Sequence, residues 1–189
     1  VSRLDLIAGP NGAGKTTLYE RVIAPGRPGL PFVNADRIAR DRFPGQELEQ
    51  AYQAATIAAA TRAALIEARL DFCAETVFSH ESKVDLVTTA AAAGYDVVLY
   101  VVMIPLLLSS PRVAARVAAG GHSVPAEKLA SRYARLWPHI AAAVPHCFRT
   151  VFYDNSDDHG PTEVASYHDG LTDYSPRWPL WTPEALLAL

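Results

Sequence analysis

The residues Gly9-Pro10-Asn11-Gly12-Ala13-Gly14-Lys15-Thr16 fill every position of the pattern G-x-x-x-x-G-K-[ST], and Thr17 extends the run. Glycines at 9, 12 and 14 let backbone N–H groups turn inward without Cβ clashes, forming an anion nest at the positive end of a helix dipole. Lys15 supplies a point charge to the β and γ phosphates of a triphosphate, and the Thr16 hydroxyl is placed to ligate Mg2+. The pattern lies between a strand-like stretch, Leu4 to Ala8, and a helix opening at Lys15, which separates it from an incidental Gly-rich turn. No Asn-Lys-x-Asp guanine motif occurs, so ATP is the expected nucleotide.

Two carboxylates follow at the ends of strand-like runs. Asp36 comes just after Pro31 to Asn34, at the carboxyl edge where open α/β sheets bind ligands. There it can accept the proton of a substrate hydroxyl, or cap a helix starting at Arg37. Glu75 ends the third run, where it can act on Mg2+ through a bound water, hold substrate hydroxyls together with Thr76, or simply face solvent. The segment 112–135 carries Arg112, Arg116, Lys128, Arg132 and Arg135 against the single acid Glu127, with Gly120-Gly121 at its middle. Such a basic, hinged element suits a lid whose arginines, Arg116 and Arg132 first, neutralise a transferring phosphoryl group; helical arginines in solvent are the alternative. His122 reads as a polar turn residue.

The elements that must hold these residues alternate in kind. Strand-like runs at Leu4 to Ala8, Pro31 to Asn34, Leu70 to Ala74, Asp96 to Ile104 and Phe148 to Asp154 are separated by helical patterns at Thr16 to Ile23, Glu47 to Arg69 and Lys83 to Ala93. This order predicts an α/β fold with a mainly parallel sheet. The helix from Glu47 is so rich in alanine that its apolar stripe is blurred. The apolar run Val97 to Leu108 contains Pro105 and is too short to cross a bilayer, so it reads as a buried strand. After the fifth strand come Asp154, Asp157, Asp158, Glu163, Asp169 and Asp173, with no Lys or Arg before Arg177. Residues 175–189 are Pro-rich and read as an irregular cover that packs Trp178 and Trp181 on the rest.

Composition bounds the function. The 189 residues hold 17 Lys+Arg and 20 Asp+Glu, for a net charge of −3, and half are apolar. One domain over 1–189 is expected, with no broad basic face for nucleic acid. Cys73 and Cys147 sit in apolar stretches without metal spacing, as buried thiols in a reducing cytosol do. No secretory leader pattern opens the chain, so a cytoplasmic location and no membrane attachment are expected.

Taken together, Gly9 to Thr17, Asn34-Ala35-Asp36-Arg37-Ile38-Ala39, Glu75-Thr76, Arg116 through Gly120-Gly121-His122 to Pro125, Arg132-Tyr133 and Tyr153-Asp154-Asn155-Ser156 resemble the zeta toxin family of P-loop kinases. The likeness runs from about residue 3 to 156, and the Gly-Gly-His segment is closest to the family's stand-alone branch, often labelled predicted ATPase. The resemblance implies a three-layer P-loop NTPase fold of the kinase type. Its parallel five-stranded sheet has the order 2-3-1-4-5, with helices on both faces and a basic helical lid. It implies an ATP- and Mg2+-dependent kinase whose acceptor is a small molecule, UDP-N-acetylglucosamine in the toxin branch, and a small helical antitoxin as partner. By that resemblance Lys15 and Thr16 match the nucleotide and Mg2+ positions, Asp36 the base, Glu75 a substrate-site acid, Arg116 and Arg132 the lid arginines, and Asn155 lies near the adenine. Two other readings share the P-loop: a nucleotide-dependent switch or toxin–antitoxin module with little catalysis, and a nucleotide or polynucleotide kinase.

Overall fold

Alternation along the first strand sets the layers. In β1 (Ser2–Ala8) the side chains of Leu4, Leu6 and Ala8 enter one apolar core and Ile7 enters another on the opposite face, as the two-residue period of a strand requires. The computed structural model describes residues 1–118 and 126–189, apart from the side chains of Arg116 and Ala126. Around β1 the strands β2 (Phe32–Asn34), β3 (Phe72–Thr76), β4 (Tyr95–Met103) and β5 (Arg149–Asp154) run parallel in the order β2-β3-β1-β4-β5.

The sheet then continues past the five expected strands. β6 (Thr162–His168) pairs antiparallel with β5, and β7 (Leu171–Thr172) pairs antiparallel with β6, giving seven strands of mixed orientation. Their hairpin turns on Asp169 and Gly170, whose φ values of 48° and 77° are the left-handed pair that a two-residue hairpin turn needs.

Helices cover both faces. α1 (Lys15–Leu18) loosens into a π turn over Tyr19–Ile23 and a 3-10 turn over Ala24–Gly26, so the helix expected to Ile23 is regular for only its first turn. α2 (Ala35–Arg42) and α3 (Ala51–Glu67) follow, then α4 (Ser82–Ala92). The apolar run expected to be one strand divides: β4 ends at Met103, and after Pro105 the leucines open α5 (Leu106–Ala118). Proline disfavours helical geometry in the residue before it, here Ile104, and so the strand and the helix meet at that point. α6 (Ala126–Ala143) completes the basic segment as two helices; the Gly120-Gly121 hinge and His122 lie outside the described residues. Residues of α3, α4 and α6 fill the larger core, while Leu18 of α1 and Leu108 of α5 pack on the other.

The last residues are irregular except for α7 (Glu184–Leu187), which buries Leu186. Trp178 meets Phe152 edge-on with ring centroids 5.2 Å apart, and Trp181 packs on the same core.

Away from the P-loop, Asp5 is fully buried in the middle of β1. Arg3 donates to its Oδ1 at 2.7 Å and Arg27 to its Oδ2 at 2.6 Å, while Arg27 also bridges to Asp71. A buried carboxylate held by two guanidiniums ties the turn before β2 to the first and third strands. Among the described residues, no helix is long and apolar enough to cross a membrane.

Candidate active site

Strand register gathers the site. Asn34 of β2 stands opposite Glu75 of β3, and Glu75 opposite Ile7 of β1, so three carboxyl ends arrive level beside the loop 9–14. That loop needs its glycines. Gly9 has φ 147°, and a Cβ there would lie 2.2 Å from the Val102 carbonyl oxygen. Gly14 has φ 92°, and a Cβ would meet the Asn155 amide at 2.8 Å.

Lys15 is buried, and its Nζ donates to the Pro10 carbonyl oxygen at 2.9 Å, which folds the side chain back over the loop. Ser109 of α5 donates to the Asn11 carbonyl oxygen at 2.7 Å, and Asn155 Nδ2 donates to the Ala13 carbonyl oxygen at 2.8 Å. Asn155 is in turn held by its N–H on Met103 and by Arg112, whose Nη1 donates to the Asn155 carbonyl oxygen at 2.8 Å. The loop is therefore braced from outside by β4, β5 and α5. The Asn11 side-chain oxygen Oδ1 is buried with no hydrogen-bond partner among the described residues, a polar atom left to a ligand.

The Thr16 hydroxyl donates to Glu75 Oε2 at 2.8 Å. Those two oxygens are hard donors of the kind Mg2+ takes; among the described residues no group of three His, Cys, Asp or Glu side chains gathers as a metal cage. The donor set thus fits an ion that draws its remaining ligands from phosphate oxygens and water.

Asp36 occupies the first turn of α2 and lines a cavity of about 220 Å³ together with Asn11, Lys15, Glu75 and Arg132. It is not the helix cap. Asn34 is, with its Oδ1 accepting from Arg37 N at 3.0 Å, because α2 starts two residues earlier than the sequence suggested. Asp36 is thereby left exposed to the cavity, with no hydrogen bond to any described residue.

Thr76 performs a turn role: its Oγ1 accepts from Phe78 N. Phe78 is fully buried at φ 66°, an unfavourable backbone state for a bulky residue, and it turns the strand end so that Ser79 and His80 line the cavity. Arg132 of α6 reaches the cavity, whereas Arg135 donates to the Ser79 carbonyl oxygen at 3.3 Å. The Arg116 side chain lies outside the described residues.

Two cavity cations escape a reading of the sequence, Arg62 of α3 and Lys83 of α4. Arg62 is 7% exposed. A signal for it exists: the buried face of α3 is Ala54, Ala58, Arg62 and Ile66, spaced by four, so the arginine interrupts a core stripe. Both cysteines are buried thiols, and burial raises the pKa of each.

Similar folds occur among solved structures. The AvrRxo1-ORF1:AvrRxo1-ORF2 complex with sulphate ions superposes with a TM-score of 0.73 at 16% identity, covering 91% of this chain and 60% of that one. The same pair with ATP gives a TM-score of 0.65 at 17% identity and the same coverage. The PezAT chromosomal toxin–antitoxin system of Streptococcus pneumoniae gives 0.59 at 14% identity, covering 85% and 70%. At these identities the likeness is one of fold, and this chain spans about 60% of the length of the first two. No curated protein matches in sequence. The sequence model of the family described as Zeta toxin matches residues 3–159, most of the chain, and with the P-loop fold around it this chain belongs to the zeta toxin family.

Proposed function

We propose that this chain is an ATP-dependent phosphotransferase that moves the γ-phosphoryl group to a hydroxyl of a small molecule, with a nucleotide sugar of the UDP-N-acetylglucosamine kind as acceptor. One observation carries the reading: an Asp36 carboxylate without a hydrogen-bond partner among the described residues opens on the same cavity as Lys15 and the Thr16–Glu75 pair.

In the reaction, the glycine nest and Lys15 grip the triphosphate, released from Pro10 as the phosphates arrive. Thr16 and Glu75 would hold Mg2+, which would offset the negative charge of the phosphates. Asp36 takes the proton of the acceptor hydroxyl as its oxygen bonds to the γ-phosphorus. The bond from that phosphorus to the bridging oxygen breaks, and ADP keeps the electron pair. Arg132, with Arg116 from the same basic segment, offsets charge on the equatorial oxygens. The family membership and the two-protein complexes among the similar structures support a small helical antitoxin as partner.

The test is a labelled γ-phosphate transfer screen over UDP-sugars, nucleosides and short oligonucleotides, with Asp36→Asn as the blank. Label on a sugar nucleotide that vanishes in the variant is the expected result. ATP consumption indifferent to every acceptor and to Asp36→Asn would refute the reading.

A further inference from the structure

Within the loop 9–14 only Asn11 has a polar side chain, and it spends neither end of that amide on the fold. The residue is 8% exposed, its Oδ1 is closed off without a partner, and its Nδ2 bonds to no described residue. In a turn, an asparagine side chain ordinarily accepts from the N–H two residues on. Here that N–H, of Ala13, goes to the Pro10 carbonyl oxygen at 3.2 Å. Turn chemistry therefore does not account for the amide.

Its placement is set through the backbone. Ser109 of α5, itself 1% exposed, donates to the Asn11 carbonyl oxygen at 2.7 Å, and the Asn11 side chain lines the cavity that Lys15, Asp36 and Arg132 share. A primary amide accepts at one end and donates two N–H bonds at the other. Since Oδ1 is the end closed off, Nδ2 is the end open to the cavity. The ligand that this amide awaits meets it at Nδ2. One residue earlier, the Pro10 carbonyl oxygen holds Lys15 Nζ at 2.9 Å, so an ammonium and an uncharged N–H pair stand side by side.

Such donors suit an anionic oxygen. Backbone N–H groups of the nest take the inner phosphates, whereas the cavity that contains Asp36 must hold the terminal phosphoryl group, because the acid reaches an acceptor hydroxyl in line with the γ-phosphorus. A side chain lining that cavity thus meets the γ-phosphoryl oxygens and not those of the α or β groups. A buried amide oxygen without a partner is costly in the empty protein. A bond from Nδ2 to a charged oxygen is stronger than one between neutral groups, and it offsets that cost only when a triphosphate is bound.

We propose that Asn11 reads the length of the phosphate chain: its Nδ2 donates to an oxygen of the γ-phosphoryl group, and through that contact the site distinguishes ATP from ADP. Product release follows from the same contact, because transfer of the phosphoryl group removes the oxygen that Asn11 holds. The inference rests on the phosphotransferase reading for the place of the γ-phosphoryl group and adds to it a determinant of nucleotide selectivity.

The test is calorimetric titration of the full chain with Mg2+ and either ADP or a non-hydrolysable ATP analogue, beside thermal melts of the free protein. In Asn11→Ala the analogue is expected to bind at least about tenfold more weakly while ADP stays within about twofold of wild type. Its Tm is expected to match or exceed that of wild type, because a buried unpaired oxygen is gone. Asn11→Asp puts a negative charge at the same place, and is expected to weaken the analogue by a larger factor than ADP. Equal losses for the two nucleotides in Asn11→Ala would assign the residue to the shape of the nest and overturn the inference. Unchanged affinity for both overturns it as well, whatever happens to the KM of an acceptor. Wild-type protein that binds neither nucleotide overturns the phosphotransferase reading and the inference together. Binding of both without transfer to any acceptor overturns that reading alone, and the comparison of ADP with the analogue still decides the contact.

Discussion

Asp36 is the residue on which turnover is expected to depend most selectively. Its carboxylate makes no hydrogen bond or ion pair with a described residue, so Asp36→Asn removes a proton acceptor without breaking such a bond in the fold. General-base loss costs roughly 10²–10⁴-fold in rate. The expected outcome is a kcat lower by that factor with Kd for ATP nearly unchanged, read by steady-state kinetics beside calorimetric titration of nucleotide. A matched fall in nucleotide affinity would assign Asp36 to holding the triphosphate instead. Glu75 differs, because its bond to Thr16 couples it to the nucleotide site, and its loss is expected to affect both quantities.

Elements, more than single side chains, decide where these groups sit. Asn34 caps α2 and so aims the turn that carries Asp36. Asn34→Ala should lower stability by about 0.5–2 kcal/mol, with Asn34→Ser recovering most of it, measured by urea denaturation. Midway along β1, Asp5→Ala leaves two guanidiniums facing a buried gap and should cost about 3–5 kcal/mol in the same assay. A cost under about 1 kcal/mol would mean that water repairs the gap. The loop 9–14 was legible in the sequence because contact geometry dictates residue type there: nothing but glycine fits against Val102 at position 9. Asp36 and Glu75 are read from their places after strand-like runs, and both line the one cavity. Arg62 was hidden because alanines flatten the periodicity of α3, although its place in the four-residue spacing is a readable clue. The β6–β7 hairpin was missed amid a stretch read only for its acids, yet Asp169-Gly170 is a recognised hairpin turn. The start of α2 was displaced because Asp and Asn are both good caps, and only the backbone decides between Asn34 and Asp36.

For the molecule as a whole, buried acids set an upper pH limit. Burial pushes the Cys147 thiol from 9.0 up to about 12, and burial with the nearby Asp5 charge pushes the Tyr100 hydroxyl from 10.0 up to about 12. Both pKa values are higher folded than unfolded, so the stability linked to them is fully present below about pH 9 and is lost as pH rises toward 12. Tm should therefore hold near neutral pH and decline steadily above about pH 9, with a shallower decline in Cys147→Val; a flat profile to pH 11 would contradict the shifts. The sheet margins carry a last consequence. β2 contributes three residues at one border and β7 two at the other, so neither offers a run of free N–H and C=O groups long enough to recruit an added strand. Borders this short offer little to an added strand, so a protein that grips this molecule is expected to do so through side chains on its helices and loops.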